Sequence, residues 1–291
     1  MRSGCRGSGK LQETILTQPP IPRPNRREVL RWMTAGAISS LLPYSWASVS
    51  TGIPVVERHE LRLPQWDADG LRVGLLADLH TNTPMEVTHA QNAIRLALAE
   101  KPDILMLAGD FINFGQPRYL EYLRHTLEPL RDAKCPVFAT LGNHDYSCLN
   151  VEGVIEVLRA SPATLLINES RDFQGITIYG FDDAISGVHE PESFIQGNYS
   201  KSLIAMLHEP DFVENVPFTV SLQVSGHSHG GQICLPGGVP VHVPIGANNF
   251  WRGFYPDARV PLYVTRGVGT VGPRLRLFCP PEVTILTLRT A

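Results

Sequence analysis

Leu71-Arg-Val-Gly-Leu-Leu-Ala77, followed at once by Asp78-Leu-His80, is the stretch on which the fold turns. A short apolar run that ends in two polar side chains predicts a β-strand delivering Asp78 and His80 at its carboxyl end. In open α/β sheets that end of a strand is where ligands bind. The pattern then recurs. Residues 87–99 carry apolar side chains at helical spacing and are stopped by Lys101-Pro102-Asp103 before a second apolar run, 104–108, which ends in Gly109-Asp110. A helical stretch over 119–131 leads through Pro136 to a third run, 137–141, closed by Gly142-Asn143-His144-Asp145.

After a short helix at 154–159 the composition changes to successive strand candidates, at 164–167, 176–179, 203–207, 219–224, 262–265 and 283–288. Two of these again finish in histidines, His208 and the group Gly226-His227-Ser228-His229. The Gly- and Pro-rich stretch 230–261 has little periodicity and is expected to wrap the mouth of the site. Alternating β and α units early, then mostly strands, predict an α/β fold: a two-sheet α/β sandwich with flanking helices.

At 291 residues and 43% hydrophobic, the chain can bury a large core. Its net charge of -3 exerts no global pull on nucleic acid or an anionic membrane, so any phosphate affinity must be local, and no nucleic-acid partner is indicated. The five cysteines form no C-x-x-C pair, which argues against a zinc knuckle and favours small buried hydrophobes. Without Cys5, four remain that could pair in an oxidising compartment.

The first fifty residues read as an address. Arg26-Arg27 precede an uncharged, mostly apolar stretch, 32–46, shorter than the roughly 20 residues a membrane-spanning helix needs. Ser45-Trp46-Ala47 then places small residues where a cleavage site has them. The segment resembles a twin-arginine signal peptide. The expected division is therefore 1–50 as signal peptide and flanking segment and 51–291 as catalytic domain. The implied partner is the twin-arginine export machinery, and the implied place is the periplasm or the outer face of the cytoplasmic membrane, with the possibility of a retained anchor.

Singly, Asp-x-His or Gly-Asp says little, because such pairs are common in turns. Together and in order, Asp78-x-His80, Gly109-Asp110, Gly142-Asn143-His144-Asp145, His208 and Gly226-His227-Ser228-His229 resemble the signature of the calcineurin-like metallophosphoesterase superfamily, over roughly residues 70–290. The resemblance implies two divalent metal ions. It assigns one to Asp78, His80, Asp110 and His229, and the other to Asp110, Asn143, His208 and His227, with Asp110 shared and His144 off the metals.

The donor chemistry agrees: imidazole, carboxylate and amide oxygen suit Mn, Fe, Zn, Co or Ni. Two dications against two carboxylates and a bridging hydroxide leave a net charge of about +1, suited to a phosphoryl group. The expected reaction is phosphoester hydrolysis by a metal-bridging hydroxide, with His144 as general acid and the adjacent Asp145 orienting it or keeping it charged. Gly226 to Gln232, Thr265-Arg-Gly-Val-Gly-Thr270 and Pro281-Glu282 further resemble a bacterial branch of exported or membrane-associated phosphodiesterases. That likeness implies a phosphodiester or pyrophosphate substrate near the membrane, lipid- or cell-wall-linked. A phosphomonoesterase and a non-catalytic metal-bearing envelope-binding protein are the alternatives. Arg252, Arg266 and Arg276 could grip a second phosphate, although surface positions are the plainer expectation.

Overall fold

A computed structural model describes residues 53–113, 117–147, 150–188, 194 and 199–291. The segment read as a signal peptide lies outside the described residues. Two six-stranded mixed sheets with flanking helices make up the fold, as the alternation of elements predicts. The first sheet runs in the order β1 (Val55–Leu63), β12 (Glu282–Thr290), β2 (Leu71–Leu76), β3 (Ile104–Ala108), β4 (Val137–Thr140), β5 (Ala163–Leu165). The second runs β10 (Gly253–Tyr255), β11 (Leu262–Val264), β9 (Leu222–Ser225), β8 (Leu203–Met206), β7 (Ile176–Gly180), β6 (Glu169–Phe173). Strands β2 to β5 are parallel, with Val73 opposite Ile104 and Leu105 opposite Val137. So are β7, β8, β9 and β11.

Burial on both faces explains why these strands read as unbroken apolar runs. Along β3, Ile104, Met106 and Ala108 face the second sheet and meet Ile178, Ile204, Met206 and Val224. The alternate residues Leu105 and Leu107 pack under the helices. Those helices are α1 (Pro84–Ala99), α2 (Pro117–Leu127), α3 (Asn143–Ser147) and α4 (Val151–Arg159). Helix α1 starts where the Thr83 hydroxyl accepts from the Glu86 backbone N–H, and it buries Ala90, Ala93, Ile94 and Ala97. On the outer face of the second sheet, Tyr179, Phe181, Leu203 and Leu262 pack with Val213 and Phe194.

Strands β1, β6 and β10 are additions to the sequence reading. β1 pairs in parallel with β12 over nine residues while presenting Glu57, Arg58, His59, Glu60 and Arg62. A charged edge strand carries no apolar run by which to be found. The helix expected to reach residue 131 gives way at Glu128 to a 3-10 turn through Asp132, because Pro129 has no N–H to continue the α-helical ladder.

Candidate metal centre

Five strand ends converge on one side of the sandwich. β2 delivers Asp78 and His80, β3 delivers Asp110, β4 delivers Asn143 and His144, β8 delivers His208, and β9 delivers His227 and His229. Asp78, His80, Asp110, His227 and His229 all have left-handed backbone φ between 46° and 68°. Non-glycine residues seldom adopt it, and such strain is tolerated where the fold must aim side chains. Close approach of the loops also requires glycine. A Cβ on Gly109 would lie 2.6 Å from His208 Nδ1, and one on Gly226 would lie 2.8 Å from Asp78 Oδ2.

Asp78, His80, Asp110 and His229 bring one donor atom each within 4.8 Å of one another, and Asp110, His208 and His227 form a second such group. Asp110 belongs to both. His80 Nε2 lies 3.1 Å from His229 Nε2, and the two rings stack 4.9 Å apart. His80 Nε2 is 3.5 Å from Asp110 Oδ2, His208 Nε2 is 3.2 Å from the same oxygen, and His229 Nε2 is 3.5 Å from Asp78 Oδ1.

Hydrogen bonds behind the rings assign the tautomers. His208 Nδ1 donates to the Ala108 carbonyl at 2.7 Å, which turns Nε2 toward the carboxylates. His227 Nε2 donates to the Ile245 carbonyl at 2.8 Å, so its Nδ1 presents a lone pair to Asn143 Oδ1, 3.0 Å away. Two acceptors facing each other at that distance repel unless a cation lies between them. An imidazole whose far nitrogen is held by a carbonyl is also the usual arrangement of a metal-ligating histidine.

Electrostatics point the same way. Burial pushes the pKa of His80 down to about 3 and that of His227 down to about 4. Burial, reinforced by His80 and Arg276, puts His229 well below the ordinary range. All three are neutral imidazoles at physiological pH, the state that donates a lone pair to a metal. Burial pushes Asp78 up to about 7, whereas Asp110 stays well below the usual carboxylate range because His208 and His80 outweigh its burial. Burial opposes charge on His208, but Asp110 and Asp78 overcome it and raise its pKa well above the ordinary value. The pocket thus calls for positive charge between the two carboxylates, and the residues present fit divalent ions.

His144 belongs to neither donor group. Its backbone N–H donates to Asp110 Oδ1 at 2.9 Å, and its ring stands edge-on to His80 with centroids 5.1 Å apart. Nδ1 is buried without a hydrogen-bond partner, which leaves Nε2 as the nitrogen reachable from the adjoining cavity.

Asp145 takes a place other than the one expected beside that ring. Its oxygens accept from the backbone N–H groups of Asp110, Gly142, Phe111 and Ile112, at 2.9 to 3.2 Å. Four donors match the acceptor capacity of a carboxylate. Fully buried, Asp145 ties the β3 and β4 loops together through these backbone groups.

Arg276 is likewise not at the surface. Its guanidinium is fully buried, donates to the carbonyls of His229 and Gly269 at 3.0 Å, and lies 3.4 Å from His229 Nδ1, so it braces that ligand loop from behind. Arg266 pairs with Glu57 at 2.7 Å and Glu282 at 2.8 Å, and the half-buried Arg252 donates to the Gly237 carbonyl. Gly267 also packs against a ligand. Its φ is +68°, and a Cβ there would sit 2.5 Å from Asp78 Oδ2. Cys234 and Cys279 are buried thiols, both with sulfur 3.2 to 3.3 Å from the Gly230 carbonyl oxygen.

The model of the calcineurin-like phosphoesterase family matches residues 71–231, the segment that carries every one of these donors. The chain belongs to that family. As a calcineurin-like phosphoesterase it is a metal-dependent enzyme of phosphoester hydrolysis. It is 31% identical to phosphodiesterase YaeI of Escherichia coli over 79% of this chain and 87% of that protein. It is 29% identical to the metallophosphoesterase YkuE of Bacillus subtilis over 76% of this chain and 80% of that one. UDP-2,3-diacylglucosamine pyrophosphatase LpxG of Chlamydia trachomatis matches at 26% over 87% of this chain and 95% of its own length.

Proposed function

We propose that the chain hydrolyses phosphodiester or pyrophosphate bonds of an envelope substrate through a dinuclear centre. Asp78, His80, Asp110 and His229 would hold one ion, and Asp110, Asn143, His208 and His227 the other. The observation that carries this reading is the pair of donor groups sharing Asp110. When bound, the ions supply Lewis-acid polarisation and charge neutralisation at the phosphoryl group. The residues do the rest. His80, His227 and His229 enter as neutral donors, Ala108 and Ile245 fix the orientation of His208 and His227, and His144 Nε2 carries a proton to the leaving oxygen.

A cavity of about 350 Å³ adjoins the donors and is lined by His144 together with Asp110, Asn143, His227 and His229, a volume that would accommodate a substituent on each side of a phosphodiester. The name of the YaeI relative supports the same preference. Full-length protein reconstituted separately with Mn, Fe, Zn, Co and Ni is expected to hydrolyse bis(p-nitrophenyl) phosphate at least about 10-fold faster than p-nitrophenyl phosphate with its best ion. The reverse preference would make it a monoesterase. No turnover with any ion would return it to a binding role.

Export rests on the Arg26-Arg27 pattern before an uncharged apolar stretch, with 51–291 as the catalytic domain that remains. Arg26→Lys together with Arg27→Lys is expected to leave folded protein in the cytoplasm. Undiminished appearance of the double variant outside the cytoplasmic membrane would remove the twin-arginine route.

A further inference from the structure

From Gly230 to Trp251 the chain contains no Asp, Glu, Lys or Arg. Part of this stretch folds into a hairpin at the mouth of the metal centre. Val241 N–H donates to the Ile233 carbonyl at 3.0 Å and Leu235 N–H to the Val239 carbonyl at 2.8 Å, flanking a bridge between Cys234 and Pro240. Side chains alternate between the faces of a hairpin, so Cys234 and Pro240 share one face and Ile233, Leu235, Val239 and Val241 share the other. The first face packs inward: Cys234 is buried, and Pro240 abuts Gly231.

The second face would ordinarily be polar because it meets solvent. Here it is wholly apolar. Ile233 and Val241 wall the cavity that also contains His144 and His229. Val241 is itself 64% exposed, and beyond it Leu235 and Val239 are 56% and 57% exposed, with Ile245 83% exposed. A contiguous exposed apolar patch marks a place of interaction, and Val241 makes this one continuous with the cavity beside the donors.

We propose that the substrate is a phosphoester bearing an alkyl or acyl chain, with its phosphoryl group at the histidine and aspartate cluster and its chain along the Ile233, Val241, Leu235 and Val239 face. This rests on the phosphoesterase reading and narrows it to a substrate class. A nucleotide or sugar phosphate would need hydrogen-bonding partners along the same wall. The hairpin face offers none: the Gln232 amide is engaged by the backbone of Val271 and Pro273, the Ser228 hydroxyl by that of Trp251 and Gly230, and His242 is the polar side chain on the cavity wall left to meet such a group. A chain longer than the cavity continues onto Leu235 and Val239 instead of meeting water.

The test is calorimetric titration of Mn-loaded full-length protein with ethyl, hexyl and dodecyl phosphate below their micelle thresholds, beside an assay of bis(p-nitrophenyl) phosphate hydrolysis. Each methylene that becomes fully buried is expected to tighten binding about fourfold, the equivalent of ~0.8 kcal/mol, so affinity rises steeply along the series. The double variant Leu235→Ser, Val241→Asp, both at exposed positions, is expected to bind ethyl and hexyl phosphate alike while retaining its metal, measured by mass spectrometry. Binding of ethyl phosphate with no gain along the series, or a gain that the variant keeps, overturns the proposal and leaves the phosphoesterase reading standing. Failure of all three phosphates to bind, together with no hydrolysis, sinks both.

Discussion

Asp110→Asn is expected to strip the protein of metal and, with it, of turnover. No other side chain belongs to both donor groups. Oδ2 faces His208 Nε2 at 3.2 Å and His80 Nε2 at 3.5 Å, while Oδ1 accepts the His144 backbone N–H at 2.9 Å. An amide keeps one oxygen for these contacts but forfeits the negative charge. Two unit charges about 4 Å apart at an effective dielectric of about 20 attract by about 4 kcal/mol, and a divalent ion feels more. Loss of that attraction corresponds to at least a roughly thousandfold weaker affinity, beyond the roughly 10–100-fold given by changes behind a ligand. Metal analysis after dialysis, with circular dichroism to establish that the fold persists, checks this. A variant that retains its wild-type complement of metal would remove Asp110 from the shared position.

Much of this centre could be read from the chain because of where its residues stand. Asp78, Asp110, Asn143 and His208 each terminate an apolar run that is buried on both faces, so the strand and its cargo announce each other in sequence. The two-sheet α/β sandwich was legible for the same reason. What escaped the reading was carried by groups without a signature. The carbonyls of Ala108 and Ile245, which set the histidine tautomers, belong to apolar residues that could be any others. Arg276 lies 47 residues from the His229 it braces, and an isolated arginine in a Gly-rich segment looks like any surface cation. Asp145 illustrates the converse. Adjacency to His144 suggested a partner for its ring, but residues adjacent in sequence at the start of a short helix point in different directions, and the carboxylate turns under the loops to collect backbone N–H groups. Strand β1 failed a period-2 reading because its edge position admits charge on both faces over most of its length.

His144→Gln is expected to separate metal binding from catalysis. The side chain lies in neither donor group, and the one hydrogen bond linking this residue to Asp110 comes from its backbone, which glutamine keeps. Glutamine has similar reach and fills the place edge-on to His80, so metal content should be unchanged. It cannot pass a proton to a departing oxygen. The loss should therefore depend on how badly that oxygen needs one: small for nitrophenolate, which departs unaided, and about 10²–10⁴-fold in kcat for an alkoxide, the range general-acid catalysis contributes. Comparing bis(p-nitrophenyl) phosphate with an alkyl phosphodiester on the same metal-loaded preparations reads this directly. A uniform fall on both substrates would mean a disturbed centre, and undiminished activity on the alkyl diester would strip His144 of the acid role. The prediction is sharp because the two functions are carried by different atoms of one residue, the backbone nitrogen holding Asp110 and Nε2 facing the cavity.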